Sequence, residues 1–308
     1  MRLLVWFAVS LFLYIFISCS RFGSHDGILI AVSIPPQVWF VSQIAGNEHP
    51  VNTQILVPPG QNPHNYEPTP RQIQSLSGAD AWILSGSEFE ITLRPKIESL
   101  FPNLIIIDGT QGVNFRLLED HDHDDHGALI QTRHSSAASG SQSRISSLYD
   151  RHTWLGQEPS LILASHIKDT LSLIDKENEN YYRQQYENLA VLIKNEFKKL
   201  KTELAPLTGK SVFVYHPSFG YFLDDLGIIQ EAVETGGKEP TPRQLNDLME
   251  KIKEEKPAAI FVQAQFPVNA ARTIADSAGA QVIELDPLAQ DWLENIKYMG
   301  QMLKNLIQ

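Results

Sequence analysis

The sequence predicts an α/β protein of two βα-type lobes, each built on a mainly parallel sheet, joined by one long rigid helix. Three observations predict it. Short β-rich runs alternate with helical patterns in two separate series, the signature of βα units. A heptad near the start of the chain returns almost unchanged in its last quarter, which favours a duplicated lobe. Between the two series, apolar residues recur every three or four positions over more than twenty residues.

The first series opens with a strand over Gly27 to Ile34 and a helix over Pro36 to Ala45. A strand over Val51 to Val57, a helix over Pro70 to Gly78 and a strand over Ala81 to Ser85 follow. A helix near Glu88 to Leu100 and a strand over Leu104 to Asp108 complete it. The second series runs through strands at Ser211 to Tyr215 and Ile228 to Val233, then a helix over Pro242 to Glu255. A strand over Ala258 to Val262, a helix over Val268 to Ala278, a strand over Gln281 to Leu285 and a helix over Gln290 to Ile307 close it. The repeated heptad is Glu67-Pro68-Thr69-Pro70-Arg71-Gln72-Ile73 and Glu239-Pro240-Thr241-Pro242-Arg243-Gln244-Leu245. In each copy Thr suits an N-cap, Pro the first helical position, and Gln the third position of a capping box. In the linking stretch, Tyr182, Tyr186, Leu189, Leu192, Ile193, Phe197 and Leu200 mark one helical face, with no Gly or Pro before Pro206.

These readings divide the 308 residues into a leader over 1–18, a first lobe over 19–177, a linking helix over 178–206 and a second lobe over 207–308. The leader has Arg2 ahead of an uncharged apolar run from Leu3 to Ile17. Fifteen residues fall short of the ~20 that span a bilayer, so the run reads as a secretory signal. It ends at Phe16-Ile17-Ser18-Cys19, which resembles a bacterial lipobox with Phe16 in place of the usual aliphatic residue. Cys19 is the only cysteine, so no internal disulfide can form, and lipidation is the expected use of it. Within the first lobe, residues 119–147 are polar and rich in His and Asp, then Ser, Ala and Gly, which predicts a mobile loop. A composition 43% apolar and 20% charged suits a packed core, and a net charge of −11 argues against a nucleic-acid partner.

Four segments carry chemistry. They are Asn62-Pro63-His64-Asn65-Tyr66-Glu67-Pro68, Asp150-Arg151-His152-Thr153-Trp154-Leu155, Tyr215-His216-Pro217-Ser218-Phe219-Gly220-Tyr221-Phe222 and Leu285-Asp286-Pro287-Leu288. His216 and Asp286 each follow a predicted strand directly, and in α/β sheets ligands collect outside the carboxyl ends of strands. His64 lies in the loop after another strand, and His152 where the polar loop gives way to a helix. Three imidazoles and a carboxylate suit tetrahedral Zn²⁺. Placement alone leaves other readings open, because single histidines beside strands are commonly structural and Asp before Pro commonly starts a turn.

The four segments resemble the metal-site motifs of the substrate-binding proteins of zinc and manganese ABC importers, the cluster A-I or metal-binding lipoprotein family. The resemblance runs from about Ile28 to the C-terminus. It implies a metal site in the cleft between the lobes, with His64, His152, His216 and Asp286 as the ligands. Arg151 departs from the proline usual before the second ligand. Histidine rather than glutamate at the third position implies zinc over manganese. The run Glu119-Asp120-His121-Asp122-His123-Asp124-Asp125-His126 resembles the acidic histidine-rich loop of zinc-specific members, so His121, His123 and His126 are candidates for auxiliary metal binding. The resemblance further implies capture of Zn²⁺ outside the inner membrane, a membrane permease as partner, a lipid anchor and a monomeric carrier without catalytic activity. A manganese or iron carrier of the same class is the alternative within binding proteins. A secreted zinc hydrolase is the alternative from another class, although no His-Glu-x-x-His segment is present.

Overall fold

The protein is described by a computed structural model covering residues 27–118, 149–234 and 249–307, apart from residues 253, 256, 258, 267–271, 273 and 277–278. The leader with Cys19, the His/Asp-rich run with His121, His123 and His126, the second copy of the repeated heptad and most of two expected helices of the second lobe lie outside the described residues.

Each lobe holds a four-stranded, fully parallel sheet. In the first, β1 (Leu29–Val32), β2 (Asn52–Ile55), β3 (Ala81–Leu84) and β4 (Ile105–Asp108) lie in the order β2-β1-β3-β4. In the second, β5 (Ser211–Val214), β6 (Ile229–Ala232), β7 (Ala259–Gln263) and β8 (Gln281–Leu285) lie in the order β6-β5-β7-β8. The two orders are the same once the numbering is shifted by four. Both sheets therefore reverse strand order between their first and third strands, which opens a crevice at the carboxyl ends. In the first lobe that crevice is plugged by Gln37, whose side chain accepts from Ser33 N and Ile34 N and donates to Ile83 O and Leu84 O.

The helices follow from caps and apolar faces. Helix α1 (Pro36–Ala45) starts at a proline and buries Phe40, Val41 and Ile44. Helix α2 (Pro70–Ser75) starts at Thr69, and Thr69 and Gln72 form the full capping box that the heptad predicts. Helix α3 (Glu88–Leu100) and helix α4 (Gln157–Ile174) cover the first lobe. Helix α5 (Glu179–Glu203) is the long linking helix, and its buried face is Tyr182, Leu189, Ile193, Phe197 and Leu200. Helices α6 (Gly220–Leu226) and α7 (Trp292–Lys304) belong to the second lobe. Among the described residues no helix is long and apolar enough to cross a membrane.

One apolar core runs through both lobes and α5. Trp292 of α7 packs 4.9 Å from Phe40 of α1 and 6.4 Å from Phe197 of α5, so three parts of the fold meet on one buried ring. Removing such a ring leaves a cavity and costs ~3–5 kcal/mol. Gly300 of α7 lies against the Leu200 side chain, and that close approach leaves no room for a Cβ. A junction packed this tightly ties the lobes together.

Candidate metal centre

The three histidines expected as ligands meet in the cleft between the lobes, although 64 to 152 residues separate them pairwise. Each arrives by a different local device. His64 lies beyond β2 in a turn closed by Asn62, whose Oδ1 accepts from His64 N at 2.9 Å. His152 precedes a 3-10 turn over Thr153–Leu155, and Asp150 Oδ1 accepts from its backbone N at 2.9 Å. His216 stands two residues past the end of β5, its ring stacked 4.5 Å from Phe266. His152 and His216 are buried and His64 is half-buried.

Their Nε2 atoms converge. The separations are 3.0 Å for His64 and His216, 3.2 Å for His64 and His152, and 3.4 Å for His152 and His216. Four ligands around a tetrahedral ion at ~2.0–2.1 Å stand ~3.3–3.4 Å apart, so this triangle closes round one zinc-sized ion with little adjustment. The opposite ring nitrogens are all engaged by carboxylates. His64 Nδ1 meets Glu88 Oε2 at 2.9 Å, His152 Nδ1 meets Asp150 Oδ1 at 2.8 Å, and His216 Nδ1 meets Glu234 Oε2 at 3.0 Å. A carboxylate accepts, so each Nδ1 is placed to donate its proton outward, and a ring without a second proton turns an Nε2 lone pair inward. Three facing lone pairs repel one another unless a cation or a proton sits among them.

Burial opposes the charged form of His64, but the hydrogen bond and charge of Glu88, with the fields of Glu234 and Asp150, outweigh it and raise its pKa above the ordinary imidazole value. Burial, aided by the neighbouring His152 and His64, holds His216 well below that value. Glu88 is itself held low: burial pushes it up, but its bond to His64 prevails.

Around the rings, three carboxylates face two guanidinium groups. Arg116 Nη1 lies 3.5 Å from Asp150 Oδ2, and its Nε donates to Asp224 Oδ2 at 2.8 Å. Arg151 Nη1 donates to Gly86 O at 3.0 Å, and its Nε lies 4.0 Å from Glu88 Oε1. The arginine that replaces the usual proline therefore braces the segment carrying His152 against the one carrying Glu88. Tyr221 accepts from Arg116 N and donates to Asp150 O, which joins the start of α6 to the same segment.

Asp286 stands apart. Among the described residues, the group of ligand atoms lying within 4.8 Å of one another comprises the three histidines and not the Asp286 carboxylate. Its Oδ1 instead accepts from Gln265 Nε2 at 2.7 Å and from Leu288 N at 2.9 Å, the turn-starting role open to any Asp before Pro. The remaining histidines with described positions serve structure. His166 bonds Gln111 O through Nε2, and His49 packs edge-on against Tyr181.

Comparison with known proteins adds an independent line. A family profile described as zinc-uptake complex component A, periplasmic, matches residues 30–308. The zinc-binding lipoprotein AdcA of Streptococcus pneumoniae (strain ATCC BAA-255 / R6) is 25% identical over 304 residues, covering 94% of this chain and 57% of its own length. This chain thus spans a little over half of that relative. The high-affinity zinc uptake system protein ZnuA of Yersinia pestis is 27% identical over 269 residues, covering 84% of this chain and 82% of its own. A crystal structure of ZnuA superposes with a TM-score of 0.79 at 32% identity, covering 92% of this chain and all of that one. A zinc-bound ZnuA lacking its residues 138–173 superposes with a TM-score of 0.76, also at 32% identity, covering 91% and 98%.

Proposed function

This chain belongs to the zinc-uptake complex component A family, and we propose that it captures Zn²⁺ outside the inner membrane and delivers it to an ABC-type importer. The family is one of substrate-binding proteins rather than enzymes, and zinc here is cargo. One observation carries the reading: three Nε2 lone pairs aimed at a single point, each fixed by a carboxylate on the far side of its ring.

His64, His152 and His216 grip the ion, and Asp286 completes the shell once its side chain turns inward. Nitrogen ligands in a tetrahedron favour Zn²⁺ over Mn²⁺, which prefers more oxygens and a higher coordination number. Cys19 carries the lipid that tethers a monomeric carrier to its membrane, and His121, His123 and His126 collect metal near the cleft. Because α5 and the Trp292 contacts fasten the lobes together, release proceeds through movement of the ligand-bearing segments rather than wide opening.

Metal analysis of protein purified without added metal, beside His216→Ala, tests the reading. About one tightly held zinc per chain is expected, lost or bound at least ~100-fold more weakly in the variant. Failure of the native chain to bind zinc at saturation, or undiminished binding by the variant, overturns it.

A further inference from the structure

Strand β7 ends at Gln263 and passes into a turn at Ala264-Gln265, and the two glutamines treat the second lobe's contributions differently. Gln263 is fully buried and clamps the backbone at His216: its Oε1 accepts from His216 N at 3.2 Å, and its Nε2 donates to His216 O and to Ser218 Oγ. Gln265 lines the same cleft as the three imidazoles and donates to the carboxylate of Asp286. The backbone under Asp286 is pinned from both sides. Asn295 Nδ2 donates to Asp286 O at 2.8 Å, and Trp154 Nε1 donates to Pro287 O at 2.8 Å. With the main chain held, the freedom left to Asp286 is rotation of its side chain, and the hydrogen bonds to its Oδ1 from Gln265 Nε2 and Leu288 N oppose that rotation.

We propose that Gln265 is an affinity-setting, positioning residue that competes with the captured cation for the Asp286 carboxylate. The inference rests on the zinc reading of the three histidines. An incoming ion is gripped first by the imidazoles. Asp286 then turns inward against the hydrogen bonds that Gln265 and Leu288 N make to its Oδ1, so the fourth bond is weakened and breaks readily. A carrier that must surrender its cargo gains from one ligand with another partner to return to. Without Gln265 only the bond from Leu288 N opposes the turn, and zinc binds more tightly through Asp286.

The test uses the full chain as Gln265→Leu, Asp286→Asn and the double variant. Gln265 is only half-buried, so leucine there leaves the fold intact, which thermal melting verifies. Zinc affinity is read by competition with a chromophoric chelator, and ligand geometry by the visible absorption of bound Co²⁺. A donated bond to a carboxylate sets the expected gain: Gln265→Leu tightens zinc about tenfold and changes the Co²⁺ spectrum. The double variant matches Asp286→Asn in both readouts. An affinity within about twofold of the native chain, or an equal gain in the Asp286→Asn background, overturns the proposal. His216→Ala separates the two levels. If it abolishes binding while Gln265→Leu does nothing, only this inference fails; if it binds zinc normally, the zinc reading of the site has failed.

Discussion

Replacing Asp150 by asparagine probes how the site is held rather than what it holds. The carboxylate is fully buried, and Oδ1 accepts from both the backbone N and the ring Nδ1 of His152. Its other oxygen faces the Arg116 guanidinium. Asparagine keeps the size and one accepting oxygen, so the His152 backbone stays in place. It removes the negative charge that makes His152 a strong ligand, and it turns an amide NH₂ toward a cation. Loss of such an outer carboxylate lowers metal affinity ~10–100-fold, or ~1.4–2.8 kcal/mol. The stability cost is smaller than the ~3–5 kcal/mol of an abandoned buried charge, because Arg116 keeps its bond to Asp224. We expect about 1–2 kcal/mol for the metal-free protein. Chelator competition gives the affinity, and urea melts with and without zinc give the stability. A zinc affinity within about threefold of the native chain would refute the claim that Asp150 tunes His152.

Two further outcomes are expected. Glu88 raises the pKa of His64, so in the metal-free chain His64 takes up its proton at a higher pH than an ordinary imidazole, and zinc must displace it. Affinity therefore falls on acidification, beginning at His64; Glu88→Gln shifts that acid limb to lower pH while weakening binding near neutrality, and an unmoved limb in a pH series of titrations contradicts the assignment. Gly300→Ala forces a Cβ against Leu200 where α7 meets α5, and melting should show a loss of ~1–3 kcal/mol with zinc affinity unchanged.

Much of the architecture was legible in local pattern. Helix α3 spans the expected Glu88–Leu100, and α1 the expected Pro36–Ala45. The predicted strands are all present among the described residues; β8 has the expected bounds and β7 is shifted by one residue, while the others are shorter, as β1 at Leu29–Val32 against an expected Gly27 to Ile34, because flanking residues bend away to form loops. The expected linking helix starts in a separate 3-10 turn at Lys176–Asn178 before α5 proper. Helix α6 was not foreseen: seven residues beginning at Gly220 are too few to show a period. His216 was legible as a candidate from the strand it follows, whereas His64 and His152 were singled out chiefly by the resemblance of their segments to known metal-site motifs. Their carboxylate partners were not. Glu88 opens a helix and Glu234 lies just beyond β6, and only the fold brings either to an imidazole. An Asp two residues before a candidate ligand histidine, as at Asp150, is the one local signal that could have been read. The same blindness hid Gln265, which donates to Asp286, the carboxylate outside the group of three histidines.

The central claim is that three remote imidazoles share one ion. X-ray absorption at the zinc edge, on full chain loaded with a single equivalent, measures this directly. The account predicts three nitrogen scatterers at ~2.0–2.1 Å with the outer-shell pattern of imidazole. A spectrum of oxygen ligands without imidazole scattering, or with a single histidine, contradicts it.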